Sequence, residues 1–324
     1  MTRLILLLAL AASAEDATLT TPTGTIRGTL LVPASASPVP VVLLIAGAGP
    51  TDRDGNPFGS PGRSDSLKLL AESLAKYGIA SLRYDKRGVG ASAAAAPLEI
   101  DLRFEMYVDD VIAWGEQLLG DPRFASVTIA GHSEGALIGT LAAQRIPVRS
   151  IVSIAGAGRR AGDVILEQLE AQTSGDTLQN ARDIVAALNA GNTTSNVRAE
   201  LLLLFRPTVQ PYLISWFRYD PATEISRLDI PALIVQGTSD IQVKVIDAQL
   251  LQAAAQRGSL NVIDGMNHVL KRVGTDPEAQ RRSYVDPSFP VDDRLVAAMA
   301  HFIKPTTRRR SVTSLSTSTA PSDR

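Results

Sequence analysis

The chain has 324 residues, of which 45% are hydrophobic and 20% are charged, as in an ordinary globular protein. Its 32 Lys and Arg residues nearly balance its 33 Asp and Glu residues, so it carries no net field to attract nucleic acid or an anionic membrane. We therefore expect a neutral small-molecule partner and no nucleic acid. Because the sequence has no cysteine, disulfides, thiol catalysis and cysteine-bound zinc are excluded.

Residues 1–14 have the pattern of a secretory signal peptide. Arg3 gives a positive start, residues 4–12 form an apolar run too short to span a bilayer, and Ala12-Ser13-Ala14 forms a small-residue cleavage site. The alternative is a hydrophobic N-terminus without a targeting role. Cleavage after Ala14 would give a secreted or periplasmic protein with no integral membrane association.

Short aliphatic strands alternate with amphipathic helices over the first half of the chain. This alternation predicts an α/β fold with a mostly parallel central sheet and helices on both faces. The strands are predicted at residues 25–32, 41–45, 79–84, 127–130 and 150–154, and the helices at 66–77, 104–119 and 134–145.

The alternation stops at residues 157–215, which predict a helical cap inserted over the sheet. The core is expected over residues 20–156 and 216–304, and its second part contains predicted strands and helices again. The tail, residues 305–324, is rich in Ser, Thr and Arg and is predicted to be disordered. Within the later parts, helices are predicted at 163–169, 178–188, 197–205, 243–256 and 292–303, and strands at 232–235 and 260–263.

The segment Gly131-His132-Ser133-Glu134-Gly135 fits the pattern G-x-S-x-G and lies between a predicted strand and a predicted helix. A strand that turns sharply into a helix forces the serine into a strained conformation, and only small neighbours permit such a turn. The serine hydroxyl is then held at the carboxyl edge of the sheet. We predict Ser133 as a nucleophile, against the alternative of an ordinary turn serine.

With this motif in this context, residues 20–304 resemble the α/β-hydrolase superfamily. Residues 84–92, Y-D-K-R-G-V-G-A-S, are similar to a loop that follows the next strand in many of these hydrolases, where Asp85 and Arg87 are expected to shape the loop. The loop at residues 46–56 is similar to bacterial carboxylesterases of the serine aminopeptidase-like branch. The resemblance implies an α/β-hydrolase fold and a triad ordered nucleophile, acid, histidine.

A serine needs a neighbouring base, and the chain offers His132, His268 and His301. His268 follows the last predicted strand, where the superfamily has its catalytic histidine. His132 is expected to be structural, and His301 falls inside the terminal helix. Asp240, directly after a predicted strand, is the expected acid that orients the base, and Asp264 is the competing candidate.

An oxyanion formed during acyl transfer needs two N–H donors. The resemblance implies the backbone N–H groups of Glu134 and Ala48 as this oxyanion hole. Asp52, Asp54 and Asn56 in the same loop suggest a calcium site, but their spacing departs from the EF-hand pattern and favours a turn-rich loop. No metal and no organic cofactor are expected.

These features predict a serine hydrolase that cleaves small carboxylic esters through an acyl-enzyme on Ser133. The alternatives are an aminopeptidase, a thioesterase and a catalytically inactive binding protein of the same fold. An aminopeptidase would present acidic groups to the substrate ammonium, and Glu167 or Glu170 could supply them. The possible pocket walls are Tyr212, Trp216 and Phe217.

Overall fold

The computed structural model describes residues 12–304, and an eight-stranded sheet runs through it. Most of the predicted signal peptide, residues 1–11, and the predicted disordered tail, residues 305–324, lie outside the described residues. The strands are β1 Ser13–Thr21, β2 Gly24–Val32, β3 Val39–Ile45, β4 Ala80–Tyr84, β5 Phe124–His132, β6 Ser150–Ile154, β7 Ala232–Gly237 and β8 Gly258–Ile263.

The strand order is β1-β2-β4-β3-β5-β6-β7-β8. Strands β3 to β8 are parallel to one another, whereas β1 and β2 form an antiparallel hairpin at one edge. Because parallel strands end at the same side, the loops after β3, β5, β7 and β8 meet at one carboxyl edge. This arrangement confirms the predicted mostly parallel sheet.

Helices cover both faces of the sheet, as predicted. They are α1 Ser66–Lys76, α2 Phe104–Gly120, α3 Glu134–Ala143, α4 Ala161–Glu170, α5 Gly175–Asn189, α6 Leu202–Phe205, α7 Gln210–Phe217, α8 Pro221–Ser226, α9 Val245–Ala254, α10 Pro277–Ser283 and α11 Asp293–Ile303. The predicted helical insertion is present as the helices α4 to α8, which follow one another between β6 and β7, but α7 and α8 run past residue 215, where the insertion was predicted to end.

The sheet separates two hydrophobic cores, and β3 shows why the sequence forms a strand there. Its residues Val41, Leu43 and Ile45 face the core under α2 and α3, while Val42 and Leu44 face the core under α1 and α11. All five side chains are buried, which is why the segment is continuously aliphatic rather than alternating.

Four elements lie outside the strands and helices that the sequence predicts, namely β1, α7, α8 and α10. Strand β1 is an edge strand in which Leu19 is the one fully buried side chain, so its sequence is mostly polar. Its first residues, Ser13 and Ala14, pair with Val32 and Leu31 of β2, so cleavage after Ala14 would shorten this strand by two residues. Among the described residues, no helix combines the length and the apolar character that crossing a membrane requires.

Candidate active site

Ser133 occupies a sharp turn between β5 and α3. Its backbone has φ 54° and ψ −121°, and its N–H donates to the carbonyl of Ile154 at 2.9 Å. A Cβ on Gly131 would lie 2.0 Å from the carbonyl oxygen of Gly135, and one on Gly135 would lie 2.6 Å from that of Ile45. Both positions therefore require glycine, and the turn holds Ser133 at the carboxyl edge of the sheet.

The structure brings Asp240 and His268 together at the same edge. Asp240 follows β7, His268 follows β8, and the Oδ2 atom of Asp240 lies 2.8 Å from Nδ1 of His268. Both residues are buried. Because an ionised carboxylate can only accept, His268 donates from Nδ1, which leaves its Nε2 available as a base.

The surroundings of Asp240 keep it ionised. Burial favours its neutral form, but the charge and hydrogen bond of His268 and the N–H groups of Val243 and Gln242 outweigh burial and lower the pKa of Asp240. The two N–H groups donate to its Oδ1 at 3.0 and 2.8 Å. The carboxylate is thus fixed and charged beside the imidazole that it orients.

The competing candidates lie elsewhere. Asp264 is exposed, and its Oδ1 accepts from the hydroxyl of Thr238 at 3.0 Å. His301 lies on the exposed side of α11. Among the described residues, neither Asp264 nor His301 forms a hydrogen bond with Asp240 or His268, as a member of a triad would.

His132 holds the His268 loop, a specific contact that accounts for its expected structural role. Its Nε2 lies 2.8 Å from the backbone carbonyl oxygen of His268, and the two rings are 4.7 Å apart between centroids. Burial and the neighbouring His268 ring lower the pKa of His132 to about 3, so it is neutral and donates from Nε2. The residue before Ser133 therefore ties the nucleophile turn to the histidine loop.

The two predicted oxyanion donors are also at this edge. Within residues 12–304, the N–H groups of Ala48 and Glu134 have no hydrogen-bond partner. Both residues line one cavity with Ser133, and a Cβ on Gly47 would lie 3.2 Å from the Cβ of Ser133. Unpaired N–H groups beside a serine hydroxyl are what an anionic intermediate on that serine would require.

The cavity at Ser133 has a volume of about 170 Å³. Its walls are mostly apolar and come largely from the helical insertion. Trp216 lines it, whereas Tyr212 lines a neighbouring cavity and Phe217 is buried in the core. Further apolar lining residues are Leu137, Val164, Ile165 and Leu204.

The one basic side chain among the described lining residues of this cavity, Arg159, is already paired. It donates to Asp247 at 2.7 Å and to Glu167 at 2.6 Å. Glu170 pairs with Arg182 at 2.9 Å. The two glutamates considered as anchors for a substrate ammonium are therefore engaged with arginines, and neither lines the cavity at Ser133.

The acidic side chains of the loop after β3 are bound to backbone N–H groups of the loop and to nearby arginines. The Oδ1 atom of Asp52 accepts from the N–H groups of Asp54 and Asn56, both at 2.9 Å. The carboxylate of Asp54 pairs with Arg63 and Arg83. These contacts are those of the turn-rich loop that the spacing of Asp52, Asp54 and Asn56 favours.

The chain is similar to known proteins that are described as hydrolases. Residues 60–194 match the family model for serine aminopeptidase, S33, a segment that contains Ser133 but neither Asp240 nor His268. The chain is 26% identical over 265 residues to the esterase EstD of Thermotoga maritima. The match covers 80% of this chain and 62% of the relative, so the chain spans about three fifths of that protein's length.

Two solved structures show the same fold. Est1E of Butyrivibrio proteoclasticus superposes with a TM-score of 0.57 at 16% identity, covering 90% of this chain and 99% of that one. The esterase PF2001 of Pyrococcus furiosus superposes with a TM-score of 0.54 at 17% identity, covering 80% and 84%. The chain therefore has the α/β-hydrolase fold.

The contact between Asp240 and His268 leads to a prediction that can be tested with a matched control variant. Asp240→Asn should leave the protein folded and lower kcat for p-nitrophenyl acetate by about 10⁴-fold, because the amide cannot hold the imidazole in the tautomer that accepts a proton. Asp264→Asn, the same substitution on the exposed competitor, should keep kcat within about threefold. Steady-state kinetics on both variants check this, and the reverse order of effects would show that Asp264 is the acid.

Proposed function

We propose that the protein is a serine esterase that cleaves small carboxylic esters through an acyl-enzyme on Ser133. The observation that carries the proposal is the 2.8 Å contact between Asp240 and His268 beside the strained turn of Ser133. An oriented base, a nucleophile at a sharp turn and two unpaired N–H groups are the components that acyl transfer needs.

The proposed reaction has two steps. Nε2 of His268 takes the proton of the Ser133 hydroxyl as the serine oxygen bonds to the acyl carbon, and the resulting oxyanion is stabilised by the N–H groups of Ala48 and Glu134. His268 then gives the proton to the leaving alcohol. In the second step the same imidazole deprotonates water, which releases the acid and restores Ser133.

The charges around the cavity favour an ester over a peptide with a free amino terminus. A substrate ammonium would need an unpaired carboxylate near Ser133. Glu167 is paired with Arg159, and Glu134 is paired with Lys86. The mostly apolar walls instead suit a neutral acyl group. A thioester would fit the same walls, so it remains the second substrate class to test.

The size of the cavity favours short acyl chains. Its volume of about 170 Å³ is below the range of roughly 300 to 1,000 Å³ that is usual for drug-sized ligands. Ile165 and Trp216, both in the helical insertion, form part of its walls. We therefore assign the insertion the role of a cap that limits the length of the acyl chain.

We also propose that the protein acts outside the cytoplasm, in the periplasm or as a secreted enzyme. The proposal rests on the positive start, the short apolar run and the Ala12-Ser13-Ala14 cleavage site. The strand pairing of β1 from Glu15 onward would remain after cleavage. The lack of cysteine is compatible with export, although export then does not serve disulfide formation.

Intact-mass measurement after treatment with a fluorophosphonate tests the proposed nucleophile. The mature protein should gain one phosphonyl group, because His268 activates the Ser133 hydroxyl for attack on phosphorus, and it should hydrolyse p-nitrophenyl acetate. Ser133→Ala should neither gain the label nor hydrolyse the ester. A folded protein without label or turnover would instead support the inactive binding protein, and faster turnover of a matched thioester would support a thioesterase.

The same mass spectrum also shows at which residue the recovered chain begins. Protein recovered from outside the cytoplasm should have the mass of a chain that begins at Glu15. A mass that includes Met1 would contradict both the cleavage site and the proposed location.

A series of p-nitrophenyl esters tests the cavity. Because the walls enclose little space, kcat/KM should be at least about 10-fold higher for butanoate than for octanoate. Ile165→Ala should enlarge the cavity and shift the preference towards longer chains. Ile184→Ala, in the core of α5 and away from the cavity, is the matched control: it should lower stability but keep the preference. An unchanged preference in Ile165→Ala would refute this account of the cap.

A further inference from the structure

Lys86 is a buried lysine behind the loop that follows β3. It lies just after β4, and the residue is 1% exposed. Its Nζ donates to the backbone carbonyl oxygen of Gly47 at 2.5 Å and to Oε2 of Glu134 at 3.1 Å. The ammonium also lies 5.1 Å from the centroid of the Tyr107 ring. Both polar partners are next to an oxyanion donor, since Gly47 precedes Ala48 and Glu134 carries the other N–H.

Lys86 and Glu134 form an ion pair in a buried site, where an isolated charge would be costly. Taking an ammonium out of water is unfavourable unless a partner compensates it. Glu134 is that partner, and its other carboxylate oxygen accepts a hydrogen bond from the hydroxyl of Tyr212 in α7. The fold thus builds a complete buried network around an ion pair that the proposed proton transfers do not use.

The hydrogen bond to Gly47 acts on the peptide unit that contains the Ala48 N–H. In a planar trans peptide the C=O and N–H groups point in opposite directions. Lys86 holds the carbonyl side of this unit and lines a cavity of about 290 Å³, whereas Ala48 lines the cavity that contains Ser133. This peptide unit is therefore bonded at its carbonyl oxygen to a residue of one cavity, Lys86, while its other residue, Ala48, lines the cavity of Ser133.

A cation that is bonded to the carbonyl oxygen of a peptide unit also makes the N–H of the same unit a stronger hydrogen-bond donor. Hydrogen bonds polarise the groups that they join, and they do so more strongly when one partner is charged and the site excludes water. The ammonium of Lys86 withdraws electron density from the Gly47 carbonyl and makes the Ala48 N–H a better donor. The stronger donor stabilises the oxyanion more than it stabilises the neutral carbonyl of the ester, because the oxyanion carries more negative charge.

We propose that Lys86 is a positioning residue that orients and polarises the peptide between Gly47 and Ala48 for the oxyanion. Its counterion, Glu134, ties this peptide to the residue that carries the other donor, so one buried ion pair aligns both halves of the oxyanion hole. The inference rests on the proposed esterase function. It acts through the backbone, and Lys86 itself does not touch the substrate.

Lys86→Met tests the proposal, because methionine keeps much of the shape and removes the charge. The variant should lower kcat for p-nitrophenyl acetate by roughly 10- to 100-fold, less than the 10²- to 10³-fold typical for a lost oxyanion donor. KM should change by less than about threefold. The Ki of a trifluoromethyl ketone, which forms an oxyanion on the serine, should rise by the same factor as kcat falls.

Two further variants separate this role from a structural one. Lys86→Met leaves Glu134 without its partner, so the double variant with Glu134→Gln removes both charges and provides the comparison even if the single variant does not fold. Its kcat should be roughly 10- to 100-fold below that of the unaltered protein, as expected for Lys86→Met. Lys271→Met is the matched control: Lys271 is also buried and donates to a backbone carbonyl, that of Phe289, at 2.6 Å. It should lower thermal stability and leave the Ki of the ketone unchanged.

All rates are divided by the number of sites that a fluorophosphonate titrates, so loss of folded protein does not count as loss of catalysis. Wild-type kcat and Ki in Lys86→Met, or recovery of both in the double variant, would overturn the inference while the proposed esterase stands. No labelling and no turnover in the unaltered protein would overturn the esterase proposal, and the inference with it.

Discussion

The turn at Ser133 is the constraint on which the rest of the site depends. A non-glycine residue with positive φ costs of order 1–3 kcal/mol, and it persists only where the surrounding structure determines it. Here Gly131 and Gly135 remove every Cβ that would block the turn, and the Ile154 carbonyl accepts the Ser133 N–H. The sheet therefore holds the serine in place before any substrate binds.

The order of the parallel strands brings other loops to the same edge of the sheet as this turn. The loops after β3, β5, β7 and β8 reach the same edge, so Asp240 and His268 meet there although they are 28 residues apart, and Ala48 and Ser133 line one cavity. Contacts between the loops then fix their relative positions. His132 holds the carbonyl of His268, and Lys86 joins the β3 loop to the start of α3. Direct contacts between the loops thus stabilise their arrangement at this edge.

The parts of this arrangement that the sequence predicted are those with local signals. Buried aliphatic runs predicted β3, β4, β6 and β7, and the two glycines around Ser133 predicted the turn. Asp240 was predicted because it directly follows β7. Strand β1 was missed because an edge strand with one buried side chain has no hydrophobic pattern to detect. The role of Lys86 was missed for another reason: its partners are 39 and 48 residues away, and no spacing rule connects them.

The central claim is that Ser133, Ala48 and Glu134 together form a site for an anionic tetrahedral intermediate. A crystal structure of the protein after reaction with a phosphonate tests this most directly. The account predicts a phosphorus atom bonded to Ser133 Oγ, with one phosphonyl oxygen 2.7–3.1 Å from the N–H groups of both Ala48 and Glu134. An adduct on another residue, or an oxygen that points away from both N–H groups, would contradict the account.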